Sequence, residues 1–406
     1  MARIDSFLRL VVDQRASDLH LCAGNPPTVR LSGDLVALPF RILSDLEARR
    51  LILEILTAAQ RQTVETEKDL DIIYELPGQA RFRGNVFFHK HGIGAVFRVI
   101  SNKIPVLADL GLPPAIRNLT RLANGLVLVT GPTGSGKTTT LAALIHEINR
   151  NYQRHIVTIE DPIEFIHQPI KSLITHREVG SHAETFAGAL RAALREAPDV
   201  VVVGELRDTE SVSLALSAAE TGVLVFATLH TNSAAKSIHR LIDLVPDSSR
   251  DHMRGMISVL LRGVVAQQLC RRRGGEGRIA AVEVLLHDYA VANMIREDKL
   301  HQLEAHLQSA NPETSGMQSL DRCLLGYVRD RLIEPAEALK VANYPELLAS
   351  AMEALPREMD SACRPGIPPW RLLAHASSSE AAAWSTRRVR TSPAARWRRP
   401  PGCCAL

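Results

Sequence analysis

Four short apolar runs mark the middle of the chain: Leu126-Val127-Leu128-Val129, Ile156-Val157-Thr158-Ile159, Val200-Val201-Val202-Val203 and Val223-Leu224-Val225-Phe226. Each is rich in β-branched residues, lacks polar alternation, and leads into polar or Gly-rich residues and then a helical pattern. Strands apolar on both faces and interleaved with helices predict a buried, mainly parallel sheet. Ligands of such sheets bind at the carboxyl ends of the strands. The first hundred residues are patterned differently. Thr28–Leu31, the turn-forming Ser32-Gly33-Asp34 and Leu35–Leu38 read as a hairpin. Leu43–Ala59 places Leu46, Leu51, Ile52, Ile55 and Leu56 at helical spacing behind Ser44 as N-cap. Ala80–Ile100 reads as two strands about a turn at His91-Gly92. The expectation is an α/β chain: a small α+β domain over residues 1–100, a Pro- and Gly-containing linker over 101–114, and a larger α/β domain over 115–348 ending in helices.

Composition narrows the class. With 406 residues, 46% apolar and 23% charged, the chain is ordinary for a globular protein. No apolar run approaches the roughly 18 residues of a membrane span, and the N-terminus lacks a signal-peptide core, so a cytoplasmic protein is expected. Six cysteines without regular spacing, and no Cys-x-x-Cys pair, predict neither a disulfide framework nor a zinc knuckle. The net charge of +4 is unevenly spread. Residues 361–406 hold eight Arg and one acid, which leaves −3 on the first 360 residues. A mildly acidic body argues against specific nucleic acid as a partner. The tail, with Trp370, Trp384, Trp397 and Cys403-Cys404 but no hydrophobic period, is expected to be disordered. Its Arg-, Ala- and Pro-rich composition reads equally as a frameshifted end.

The chemistry follows the strands. Gly131-Pro132-Thr133-Gly134-Ser135-Gly136-Lys137-Thr138 fits the phosphate-binding loop G-x-x-x-x-G-K-[ST]. A chance match in a chain this long has a probability of about 1–2%, and the strand before it and the helix from Thr139 lower that further. Backbone N–H groups and a helix N-terminus converge on phosphate oxygens, Lys137 reaches the β- and γ-phosphates, and the Thr138 hydroxyl is placed for Mg²⁺. The run Asp199–Val203, followed by Gly204-Glu205, delivers a carboxylate to the same edge, which makes Glu205 the candidate general base. Glu160, Asp161 and Glu164 follow another strand, Glu160 and Asp161 as candidate metal-positioning carboxylates and Glu164 for the water. A helix cap, with Asp161 as cap and Pro162 first in the helix, is the structural alternative. Thr228-Leu229-His230 sets a histidine at the edge for γ-phosphate sensing or subunit coupling.

These four stretches, 131–138, 160–164, 199–205 and 228–230, stand in the order of Walker A, Asp box, Walker B and His box. The chain thereby resembles the secretion-superfamily ATPases of type II and type IV secretion and type IV pili, and within them the twitching-motility retraction ATPases. Ala16–Leu21, Arg81–Phe87, Ala290–Asp298 and Gly316–Asp321 extend the resemblance over roughly residues 1–348. It implies a PAS-like N-terminal domain and a RecA-like ATPase domain. It implies ATP and Mg²⁺ as ligands, with the loop residues through Thr139 on the nucleotide. Arg81, Arg83 and Arg98 would swing onto the nucleotide, where guanidinium offsets charge on the transferring phosphoryl group. The implied partners are a homo-hexamer, an inner-membrane pilus assembly platform that holds the motor peripherally at the membrane, and a paralogous retraction or extension ATPase. Departures from the family pattern are Val223 where a second His follows Gly222, His239 where retraction motors carry Asp, and the loop Asn311–Thr314. Missing Cys-x-x-Cys pairs favour the retraction class over extension. The alternatives are an ATPase of a secretion or DNA-uptake pseudopilus, and a regulator that binds nucleotide without hydrolysing it; Lys137 together with Glu205 argues against the regulator.

Overall fold

The computed structural model describes residues 2–354, apart from 15, 32–33, 101–103 and 276. The basic stretch 361–406, expected to be disordered, lies outside the described residues. The first sheet comprises β1 (Asp18–Cys22), β2 (Thr28–Leu31), β3 (Asp34–Ala37), β4 (Asp69–Leu76), β5 (Ala80–His89) and β6 (Gly92–Ile100). It is antiparallel, in the order β3-β2-β1-β6-β5-β4. The hairpin over residues 28–38 and the strand pair over 80–100 form where the pattern places them. The helix read across Leu43–Ala59 is two helices, Asp45–Leu53 and Ala58–Glu67. Ser44 caps the first with Glu47 reciprocating, and a second capping box, Thr57 with Gln60, starts the next. Two reciprocal caps thirteen residues apart cannot sit inside one helix, because each satisfies the free N–H groups of a new first turn.

The second sheet comprises β7 (Gly125–Thr130), β8 (His155–Glu160), β9 (Leu173–Glu178), β10 (Val200–Val203), β11 (Leu224–Leu229), β12 (Leu261–Arg271) and β13 (Arg278–Leu286). Its order is β13-β12-β7-β11-β10-β8-β9. Every neighbouring pair is parallel except β12 with β13. All residues of β7, β10 and β11 are buried, as expected of strands covered on both faces. Alternation sends Leu126 and Leu128 into one core and Val127 and Val129 into the other, where Leu141, Leu144 and Ile148 of the helix Lys137–Asn151 meet them. Val223, the departure beside Gly222, is buried in the first of these cores.

Two features escape the sequence pattern. No helix follows Asp161, so the capping alternative for 161–164 is not what the chain adopts: an irregular segment leads instead to β9. Only half-buried along its length and polar in sequence, β9 carries no apolar run to announce it. No described helix is long and apolar enough to cross a membrane.

Short helices after β13 close the described chain, and a buried carboxylate ties them to the sheet. Glu283 of β13 is 5% exposed. It accepts the Ala234 N–H at 2.7 Å and the Asn343 side-chain amide at 3.4 Å. Burial pushes its carboxyl up to about 7; N–H donors from Ala234 and Leu320 oppose this, while the charges of Glu304 and Asp321 add to it. A carboxyl with a raised folded-state pKa stabilises the fold below its unfolded value and loses that contribution as pH rises through about 7. Glu283→Gln imitates the protonated acid. The stability of the wild-type chain relative to this variant should therefore fall between pH 5 and pH 8, by at most about 3 kcal/mol, read as the difference between their thermal melting curves. Parallel curves across that range would show that Glu283 ionises without cost.

Candidate active site

A cleft of about 340 Å³ opens where β7, β8, β10 and β11 run out. Between β7 and the helix Lys137–Asn151 the phosphate-loop sequence makes a tight turn. Its glycines are needed for space as well as conformation. At Gly131 (φ +145°) a Cβ would lie 2.2 Å from the Gln267 carbonyl oxygen, and at Gly136 (φ +89°) 2.8 Å from the Gln267 amide nitrogen. Thr133, Gly134, Lys137 and Thr138 line the cleft, while Gly131, Pro132, Ser135, Gly136 and Thr139 form the loop and helix start behind them.

Lys137 is buried and its Nζ donates to the carbonyls of Gly131 (2.8 Å) and Pro132 (3.1 Å). Burial lowers its pKa, and the carboxylates of Glu205 and Glu164 pull it back up. The Ser135 hydroxyl, also buried, has no hydrogen-bond partner among the described residues. A buried hydroxyl without a partner is costly. In a loop with helix-start N–H groups beside it, a phosphate is the group that would satisfy it. The loop fits a nucleotide.

The carboxylates converge from two strand ends. Glu205, just beyond β10, accepts Arg207 Nε at 2.7 Å on one oxygen and lies 3.4 Å from His230 Nε2 on the other. His230 comes to it from the end of β11, where Thr228 also donates to the Gly204 carbonyl. Glu160, Asp161 and Glu164 reach the same cleft from β8. The cleft walls desolvate the Glu164 carboxyl and raise its pKa. A hydrogen bond from Thr138 acts against that, Glu160 adds to it, and Arg83 and Lys137 oppose it. Thr138, Glu160 and Asp161 together offer the oxygen donors that a hard divalent cation takes.

The three arginines of the first sheet part ways. Arg83 lines the cleft and holds Asp71 at 3.3 Å. Arg81 donates to the Ile163 carbonyl at 3.3 Å, which brings β5 against the Asp-box segment. Arg98 does not reach the cleft. Its Nε sits 2.8 Å from Asp18, a carboxylate only 4% exposed that needs a cation to remain ionised. His239, the other departure, pairs with Asp243 one turn along its own helix, away from the cleft lining.

Comparison with known proteins fits this geometry. Residues 2–331 match the family model described as type II/IV secretion system protein. The chain belongs to that family. It is 45% identical over 343 residues to the type IV pilus retraction ATPase PilT of Pseudomonas aeruginosa, covering 84% of this chain and 99% of that protein. It is 43% identical to a twitching motility protein of Neisseria gonorrhoeae, covering 85% of this chain and 91% of that one. The crystal structure of the pilus retraction motor PilT with bound ADP superposes with a TM-score of 0.80 at 40% identity, covering 86% of this chain and all of the other.

One residue of this family member's loop frame has no motif to mark it. Gln267 of β12 donates to the Ser135 carbonyl at 2.7 Å and accepts the Thr140 hydroxyl at 2.7 Å, joining the loop to the first turn of its helix. The available signal is local and weak: the apolar run Val264-Val265-Ala266 ends in Gln267-Gln268, and of these two it is Gln267 that the fold buries. Gln267→Leu leaves a buried carbonyl and a buried hydroxyl unpaired, at about 1–3 kcal/mol for each group. We expect its affinity for a fluorescent ADP to fall at least tenfold with the sheet intact by circular dichroism; unchanged affinity would show that the loop holds its shape without Gln267.

Proposed function

We propose that this chain is an Mg²⁺-dependent ATPase motor that powers type IV pilus retraction. The observation that carries the reading is the meeting of Lys137, Glu164, Glu205 and Arg83 around one cleft at the carboxyl edge of the sheet. Further support comes from alignment of 84% of this chain with nearly the full length of a retraction ATPase. In this reading the motor is a homo-hexamer at the cytoplasmic face of the inner membrane, held there by a pilus assembly platform protein, with a paralogous motor as a further partner. Residues 1–100 and 115–348 act as its two domains, joined by 101–114.

The residues divide the work. The loop N–H groups and Lys137 hold the β- and γ-phosphates, and Lys137 exchanges its two carbonyl contacts for phosphate oxygens. Thr138, with Glu160 and Asp161, would hold Mg²⁺, which supplies charge neutralisation at the phosphoryl oxygens when bound. Glu205 takes the proton of the attacking water, its carboxylate steadied by Arg207 and His230. Glu164 orients that water beside Thr138. Arg83 brings the positive charge of the first sheet to the transferring group, so that nucleotide occupancy and the position of the first sheet are linked.

Lys137→Ala should abolish hydrolysis by the purified chain, because the phosphates lose their main positive side-chain contact; near-normal turnover would overturn the site. Glu205→Gln keeps shape and hydrogen bonding but cannot accept a proton. It should bind ATP normally and lose about 10²–10⁴-fold in kcat. A loss of binding and turnover together would instead make Glu205 a ligand or a structural group. The motor role is tested by expressing the chain in a twitching bacterium that lacks its retraction ATPase: restored twitching supports it, and active hydrolysis without any twitching or pilus retraction refutes it.

A further inference from the structure

The edge strand β9 contributes no residue to the phosphate loop or to the strand-end carboxylates, yet it runs in parallel register along β8, with His176 beside Thr158 and Glu178 beside Glu160. Two of its side chains point polar atoms at the segment that follows β8. Glu178 accepts the Ile163 N–H at 3.0 Å. Nε2 of His176 accepts the His167 N–H at 3.1 Å. A backbone N–H can only donate, so Nε2 is the unprotonated nitrogen and the ring presents its N–H at Nδ1. That nitrogen lies 2.8 Å from the Thr158 hydroxyl and 3.7 Å from a carboxylate oxygen of Glu160. The other Glu160 oxygen takes the Glu164 N–H at 3.4 Å.

We propose that His176 is a positioning residue for Glu160. It carries a hydrogen-bond chain from the His167 backbone through the imidazole to Thr158, which holds the Nδ1 edge of the ring 3.7 Å from the Glu160 carboxylate, and so sets the angle at which that carboxylate meets a divalent cation. The inference rests on the ATPase reading of the cleft, which makes Glu160 one of the groups that would hold Mg²⁺. The chain is directional. One nitrogen is committed to the backbone of the segment 161–170, so only one ring orientation leaves a donor for Thr158 on the side that faces Glu160. The ring is also held by its neighbour: His167 stacks on it with an 11° interplanar angle and centroids 5.9 Å apart. His167 is itself kept uncharged, since burial first and then the two adjacent histidines lower its pKa to about 4. Outer-shell groups of this kind change metal affinity or activity by about 10–100-fold when removed.

The test uses the full-length chain and a fluorescent, non-hydrolysable ATP analogue titrated at a series of MgCl₂ concentrations, so that it reads cation binding without turnover. His176→Phe keeps a stacking ring and removes both nitrogens. His176→Gln restores one acceptor and one donor. The Phe variant should need about 10–100-fold more Mg²⁺ for half-maximal analogue binding, while the Gln variant stays within about threefold of wild type. ATPase rates should follow the same order at fixed Mg²⁺. A Phe variant with the wild-type Mg²⁺ requirement overturns the proposal, as does a folded Gln variant shifted as far as Phe, because restoring an acceptor and a donor would then have recovered nothing. If melting curves show that Phe does not fold, His176→Ala replaces it; a chain that folds with neither marks His176 as purely structural and also overturns the proposal. Analogue binding by wild type that ignores Mg²⁺ overturns it too. Mg²⁺-dependent binding without hydrolysis by wild type would refute the motor reading while leaving His176 supported by the same titration.

Discussion

The cleft depends on one constraint: the central strands of the second sheet are covered on both faces. Along β7, β10 and β11 every residue is buried, and a polar side chain there would lose water without finding partners. Groups with chemistry to perform are therefore confined to the places where the strands end. Four strand ends lie at one level because their neighbours are parallel and in register. This arrangement collects a lysine from after β7, carboxylates from after β8 and β10, and a histidine from after β11 into one space.

What holds the loop in shape comes from further along the chain. Gln267 enters from β12, about 130 residues beyond the loop, and bonds both the loop and the helix that follows it. Its backbone lies so close that only glycine fits at Gly131. The nucleotide site thus requires that β12 already be paired with β7. It is a product of the finished sheet as well as of the loop's own sequence.

Charge in the cleft is balanced before any ligand is considered. Lys137 rests on two carbonyls, Glu205 on Arg207 and His230, and Glu164 on Thr138. Each of these contacts is one that a triphosphate, a cation or a water can take over, so binding exchanges partners with little stripping of bare charges. Arg81 and Arg83 connect the first sheet to this balance, through the Ile163 carbonyl and the cleft wall. Arg98 is withheld by Asp18, whose burial leaves it dependent on a cation.

The strand runs, the phosphate loop and the strand-end residues Glu160, Glu205 and His230 were legible in the sequence, because a strand buried on both faces and a glycine-bounded phosphate loop each impose a local pattern. The hairpin at residues 28–38 and the cap at Ser44 were legible for the same reason: turn and capping chemistry act within a few residues. The break at Thr57 repeats the capping pattern and was lost under the continuous apolar spacing of Leu51, Ile52, Ile55 and Leu56. Tertiary structure alone decided which of Arg81, Arg83 and Arg98 faces the cleft, since all three share a strand pattern and differ only in the acid or carbonyl that the finished sheets set beside them. It also decided the role of Gln267 and the existence of β9. Pairing between residues eighteen to more than a hundred positions apart leaves no trace in a short window, because its energy comes from the neighbouring strand and not from the residues on either side.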